Sequence, residues 1–153
     1  METELDRKKY IYWSPLFLNY NGKEICIRLE ELFTNPEVGN VKIGNNSLNG
    51  FHKIESTKDS KKYDVIFKKV VFFQVYDELR HIDSDEEQFD ADRVIRTYTK
   101  SNLLKYIEEN TDFKNLLGKY FNDLIHYCVR TTDDWFDIVT DTEPIIKLVN
   151  KNE

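Results

Sequence analysis

Glycine and proline are scarce, 5 and 3 in 153 residues. That excludes collagen-like and low-complexity chains, and it predicts something other than a turn-rich sandwich. There are only two cysteines, Cys26 and Cys128, far apart in the chain. They cannot form a disulfide framework and read as buried thiols of a reducing compartment. No Cys-x-x-Cys or His-x-x-x-His pair occurs, so the short-spaced ligand pairs of a zinc site are missing. There is no Gly-x-Ser-x-Gly elbow, and Gly39, Gly44 and Gly50 lead into no helix signal, which excludes a readable phosphate loop. Positive charge is in deficit: 22 Lys and Arg stand against 28 Asp and Glu, a net charge of -6. A nucleic-acid binder presents a basic face, so direct nucleic-acid binding is not expected. No apolar run reaches the ~18–20 residues of a membrane span. The start, METELDRKKYIYW, lacks the apolar core of a signal peptide. The expectation is a cytoplasmic protein that does not meet a membrane.

Aromatic residues are plentiful, with 10 Phe, 9 Tyr and 2 Trp. At 40% hydrophobic, the chain can bury a real core. Its length suits one domain over residues 1–153, with a polar, frayed segment at 1–9. The longest apolar stretch, 62–78 (KYDVIFKKVVFFQVYDE), reads as a central strand or as two strands meeting at a bulge. Tyr63, Val65 and Phe67 share one face in near-alternation. After Lys69 both faces turn apolar, which predicts cover on both sides or a crossing between two covered regions. The Lys68-Lys69 pair breaks the period and marks the bulge. The fold class expected is α+β, mostly antiparallel sheet with one or two short helices packed on it.

Taken in order, residues 10–19 and 24–29 predict a hairpin about Asn21-Gly22. Pro15 belongs at an edge or bend. Leu29–Phe33 reads as more strand or as a short helix before Asn35-Pro36. Residues 34–50 hold three of the five glycines and five asparagines, and read as loop with a short strand at 41–43. Phe51–Glu55 is a further strand, 79–91 an exposed loop and 93–98 a strand. Ser101 caps a helix whose stripe is Leu103, Leu104 and Ile107, with Asn110 as its stop. DFKNLLGKY adds a turn of helix ending at Gly118. Residues 124–139 read as a hairpin about 132–134. Beyond the bend at Pro144, 145–149 forms a last strand or docked segment.

His126 and Cys128 fall two apart on a strand and share a face, the one geometric hint of a metal site; a packed histidine beside a buried thiol explains it better. Glu30-Glu31 and Asp133-Asp134 suit helix-end or turn chemistry. No catalytic, cofactor or metal residue is therefore expected. The most biased segment runs from Asp77 to Asp92, with eight acids and only Arg80 basic. It lacks the glycine and spacing of a calcium loop. The bland reading is a solvated loop; the sharper one is a negative patch that docks a basic protein, flanked by Arg93 and Arg96.

The order strand, acidic loop, strand, Ser-led helix and closing hairpin (IHYCVRTTDDWFDIVTDTEPII) resembles a group of small uncharacterised bacterial proteins. The resemblance covers roughly residues 62–146, and His126-Tyr127, Asp137-Ile138-Val139 and Glu143-Pro144 are its most distinctive points. Some such proteins resemble immunity proteins of polymorphic toxin systems, and no catalytic residue comes with the likeness. It implies a non-enzymatic protein that inhibits a basic toxin domain by direct binding. The partner contacts expected are Asp83, Asp85, Glu86, Glu87 and Asp90, with Tyr98 as an exposed aromatic anchor. One alternative is a homodimer or other interaction domain marked by exposed Trp13, Phe17 or Trp135. Another is a small enzyme, which would need a pocket bringing a carboxylate to His126.

Overall fold

The computed structural model describes residues 2–6, 12–77, 86–117 and 119–150. Ten strands and two short helices are seen among them, so the chain is mostly antiparallel sheet and broadly α+β. The strands form two five-stranded sheets. In the first the order is β1 (Tyr12–Tyr20), β2 (Ile25–Ile43), β4 (Lys62–Phe67) and β10 (Ile145–Leu148), with β3 (Asn46–Glu55) paired to the far part of β2. In the second the order is β5 (Phe72–Asp77), β9 (Asp134–Thr140), β8 (Ile125–Arg130), β7 (Ile95–Lys100) and β6 (Gln88–Phe89).

Alternation sets the faces. Ile25, Ile27 and Leu29 of β2, and Tyr63, Val65 and Phe67 of β4, are buried in one cluster with Ile95, Tyr127, Val129, Phe136 and Ile138 of the second sheet. Two apolar faces therefore meet, as in a sandwich. Each fully buried large apolar side chain stabilises the fold by ~1.5–3 kcal/mol. This corrects the expectation from scarce glycine and proline. Few special residues are needed, because the turns use asparagine, threonine and aspartate as well. At the first hairpin Gly22 takes φ 92° and the Asn21 side chain accepts from the amide of Glu24 at 3.0 Å. At the β8–β9 turn the Thr131 hydroxyl accepts from the amide of Asp134 at 3.1 Å.

The 62–78 stretch is two strands in different sheets. The chain leaves β4 at Lys68, turns at Lys69 with φ 50°, and enters β5. A β-bulge inside one strand is thus replaced by a corner between two. The returning strands β9 and β10 cross beside it, and the Thr140 and Thr142 hydroxyls both donate to the carbonyl of Lys68. Crossing between sheets explains why the apolar pattern changes phase at the lysine pair.

Two further expectations change, and two open alternatives resolve as strand. Leu29–Phe33 continues as strand, and Glu31 is buried in it, its carboxylate accepting from the amide of Lys61 at 3.0 Å. Residues 34–50 are no loop: they form most of a long ribbon in which β2 runs out and β3 returns about Gly44-Asn45. Within the N-terminal segment, Leu5 is buried and Asp6 accepts from the amide of Val94 at 2.9 Å, so residues 2–6 are anchored rather than frayed. The segment at 145–149 joins the first sheet against β4.

Helix α1 (Asn102–Asn110) starts where Ser101 places it. The Ser101 hydroxyl accepts from the amide of Leu104 at 3.0 Å, and Ile107 is buried, with Leu103 and Leu104 half-buried. Contacts with β8 seat α1 on the outer face of the second sheet. A turn of helix, α2 (Phe113–Leu116), follows; the expected stop at Gly118 lies outside the described residues. No helix among the described residues is long and apolar enough to cross a membrane.

Candidate functional site

The chemistry-bearing side chains gather on the outer face of the second sheet. The β8–β9 register sets Cys128 opposite Asp137, and β5 adds Gln74 opposite Asp137 and Tyr76 opposite Trp135. His126 lies one pleat along, its Nε2 3.1 Å from Asp137 Oδ1. Asp137 Oδ2 accepts from Gln74 Nε2 at 2.7 Å, and Oδ1 from the Tyr76 hydroxyl at 3.4 Å. On the other side His126 Nδ1 meets the Ser101 hydroxyl at 2.8 Å.

A serine, a histidine and an aspartate in line invite comparison with a catalytic triad, but the geometry opposes it. His126 is 2% exposed, and the Tyr98 ring stacks flat on it with centroids 4.1 Å apart. The Ser101 oxygen is engaged as the helix cap. A catalytic base needs access to a site for the reacting atom, and this histidine is buried under the tyrosine ring. Burial works to raise the Asp137 carboxyl, but the contacts with His126, Gln74 and Cys128 together hold it below the usual range. Burial, reinforced by Asp137, pushes the Cys128 thiol up, so it stays protonated and unreactive. Burial likewise pushes up the phenols of Tyr76 and Tyr98. The arrangement pins the N-terminus of α1 to the sheet. Among the described residues no group of three His, Cys, Asp or Glu side chains could hold a metal ion.

The described end of the acidic segment, Glu86 to Asp92, lies at the β6–β7 edge of the same sheet, while Asp77 ends β5 at the opposite edge. Asp83 and Asp85 fall outside the described residues. Glu86 is exposed; Glu87 is half-buried, and its Oε1 accepts from the amide of Asn102, the first of α1, at 3.0 Å. That is a favourable place for a carboxylate, at the positive end of a helix. Asp90 is exposed and its Oδ1 accepts from the amides of Ala91 and Thr97, at 2.9 and 3.0 Å. Arg93 pairs with Asp90 at 3.3 Å, and Arg96 with Asp92 at 2.7 Å, so the two flanking arginines hold the end of the segment. The Arg96 guanidinium beside Asp92, aided by Arg130, holds that carboxyl below the usual range. Arg96 is itself layered between the rings of Phe89 and Trp135, at 4.1 and 5.3 Å.

Three expected surface aromatics are inside. Tyr98 is 8% exposed beneath this edge, so it is no surface anchor; its β7 alternation places it on the face that α1 and the 86–91 segment cover. Trp13 and Trp135 are buried as well, at 4% and 6% exposure, whereas Phe17 is exposed. Cys26 is half-buried and only Cys128 fully so.

Sequence reasoning missed the seam around Asp137 and the long ribbon. The seam was within reach: a hairpin about 132–134 pairs Cys128 with Asp137 and brings His126 diagonally to it. No protein-family model, curated protein or solved structure matches the chain.

Proposed function

We propose that this chain is a binding protein, without chemistry of its own, that inhibits a basic partner protein by covering it, in the manner of an immunity protein acting on a toxin domain. The observation that carries this reading is the fixed acidic edge. Glu87 and Asp90 are held by backbone amides at the margin of a rigid sheet, with Glu86 and Asp92 exposed beside them. Carboxylates already ordered lose little side-chain entropy when a partner arrives. A net charge of -6 steers a basic protein toward them. The sealed state of His126, Asp137 and Cys128 supports binding over catalysis.

The test is capture of a basic protein on the immobilised chain at low and high salt, repeated with Glu86→Lys/Glu87→Lys. The wild type retains it at low salt and releases it at high salt. The double reversal weakens binding at least tenfold and flattens the salt dependence. Equal retention by both, with circular dichroism showing the same fold, removes the acidic edge from the account.

A further inference from the structure

The β2–β3 ribbon is a broad surface that the acidic edge does not use. Beyond Leu32, β2 pairs with β3 alone, so residues 33–43 and 46–55 form a two-stranded arm outside the sheet. At ~3.3 Å per residue it is about 36 Å long. Every residue from Pro36 to Ile54 is exposed. Directly paired residues share a face, which sorts the arm into two sides. On one lie Gly39 opposite Phe51, Val41 opposite Leu48, and Ile43 opposite Asn46. On the other lie Val38 opposite His52, Asn40 opposite Asn49, and Lys42 opposite Ser47. The first side is apolar, yet Val41, Ile43, Leu48 and Phe51 are 43–61% exposed. An isolated two-stranded ribbon is marginal in water, so this face needs a cover.

We propose that the cover is a second copy of this chain, by reciprocal exchange of arms in a two-fold dimer. Charge and area select that occupant. The arm carries Glu37 and Glu55 against Lys42 and Lys53, so it is neutral on a chain of net charge -6. A basic partner gains no electrostatic attraction there, whereas two copies that repel elsewhere can meet through it. About 36 Å of ribbon roughly 10 Å wide offers a face of about 350 Å². Two arms laid face to face would bury only about 700 Å² in total, short of a stable interface at ~1,200–2,000 Å². Two arms each laid on the other copy's body bury four such faces, about 1,400 Å², which suffices. The body offers apolar side chains on the outer side of β1, where Tyr12 and Phe17, opposite Leu32 and Arg28, are 43% and 42% exposed and Leu16, at the register shift between Pro15 and Phe17, is 43% exposed. Each copy gives an arm and receives one, so the contact closes at two.

The test is the mass in solution by sedimentation or light scattering up to about 100 μM, a range that covers weak dimers. Twice the 18.3 kDa chain mass is expected. Val41→Asp/Leu48→Asp, on the apolar side, should raise the dissociation constant at least tenfold. Lys42→Asp/Ser47→Asp, on the polar side, should leave it within threefold. Circular dichroism and the urea midpoint of each variant monomer separate loss of the dimer from loss of the fold. A monomer at the highest concentration overturns the proposal and leaves the arm to a different protein. A dimer indifferent to the apolar-side variant, or open-ended growth beyond two copies, overturns it equally. None of these outcomes bears on the acidic edge.

Discussion

Replacing Asp137 with alanine tests the buried seam. The carboxylate is the meeting point of His126 Nε2 at 3.1 Å, Gln74 Nε2 at 2.7 Å and the Tyr76 hydroxyl at 3.4 Å. Gln74 is exposed and can turn to water, but His126 is 2% exposed and cannot. Leaving a buried nitrogen without its partner costs about 1–3 kcal/mol. Losing the hydrogen bonds to Gln74 and Tyr76 adds about 1 kcal/mol. The expected loss is about 2–4 kcal/mol, large against the ~5–15 kcal/mol that holds a typical domain folded. Urea unfolding measures it, provided the denaturant slope is unchanged between the two proteins. Asp137→Asn, which keeps the volume and loses the charge, adds a pH signature. The carboxyl is depressed in the fold from an ordinary 3.8, so its contribution is present above that value and is lost as pH falls through the folded one. The stability gap between wild type and Asp137→Asn should therefore be full at pH 7 and close in acid below 3.8. A loss under about 1 kcal/mol for Asp137→Ala, or a gap that widens in acid, would refute the reasoning.

Ser101→Ala removes both the cap of α1 and the partner of His126 Nδ1, and should cost about 1–2 kcal/mol by the same assay, with Ser101→Thr recovering most of it. Lys69 sits at φ 50° in the corner between the sheets. Both Lys69→Val and Lys69→Gly lose the ion pair with the buried Asp141, but only the β-branched residue resists that conformation, so by urea unfolding Lys69→Val should be less stable than Lys69→Gly by about 1–2 kcal/mol.

The elements legible in the sequence were those whose signals are local. The Ser101 cap, the Ile107 stripe and the turn at 132–134 each lie within a few residues of what they determine, and all stand where expected. The 34–50 segment was misread because its asparagines and glycines look like loop, whereas cross-strand pairing makes a ribbon of them. Its apolar residues alternate only when β2 and β3 are read together, with bulges at 34–38 and 39–40 resetting the phase. The two-sheet arrangement was hidden for a similar reason: a corner at Lys69 and a bulge at Lys69 break the same sequence pattern, and only the pairing of β5 with β9 distinguishes them. Tyr98 looked exposed because it follows charged residues, but strand alternation turns it under α1. The site was half legible. The acids and their arginines were visible as composition, while the carboxylate beside His126 depended on hairpin register.

The most direct measurement of the central claim is the activity of the captured basic partner as this chain is titrated into it. The account predicts that activity falls to zero at one equivalent, that high salt restores it, and that Glu86→Lys/Glu87→Lys must be added in at least tenfold excess to match. Full partner activity with the chain saturating would contradict inhibition by binding. So would loss of activity that continues at substoichiometric amounts, since that would mean the chain acts catalytically.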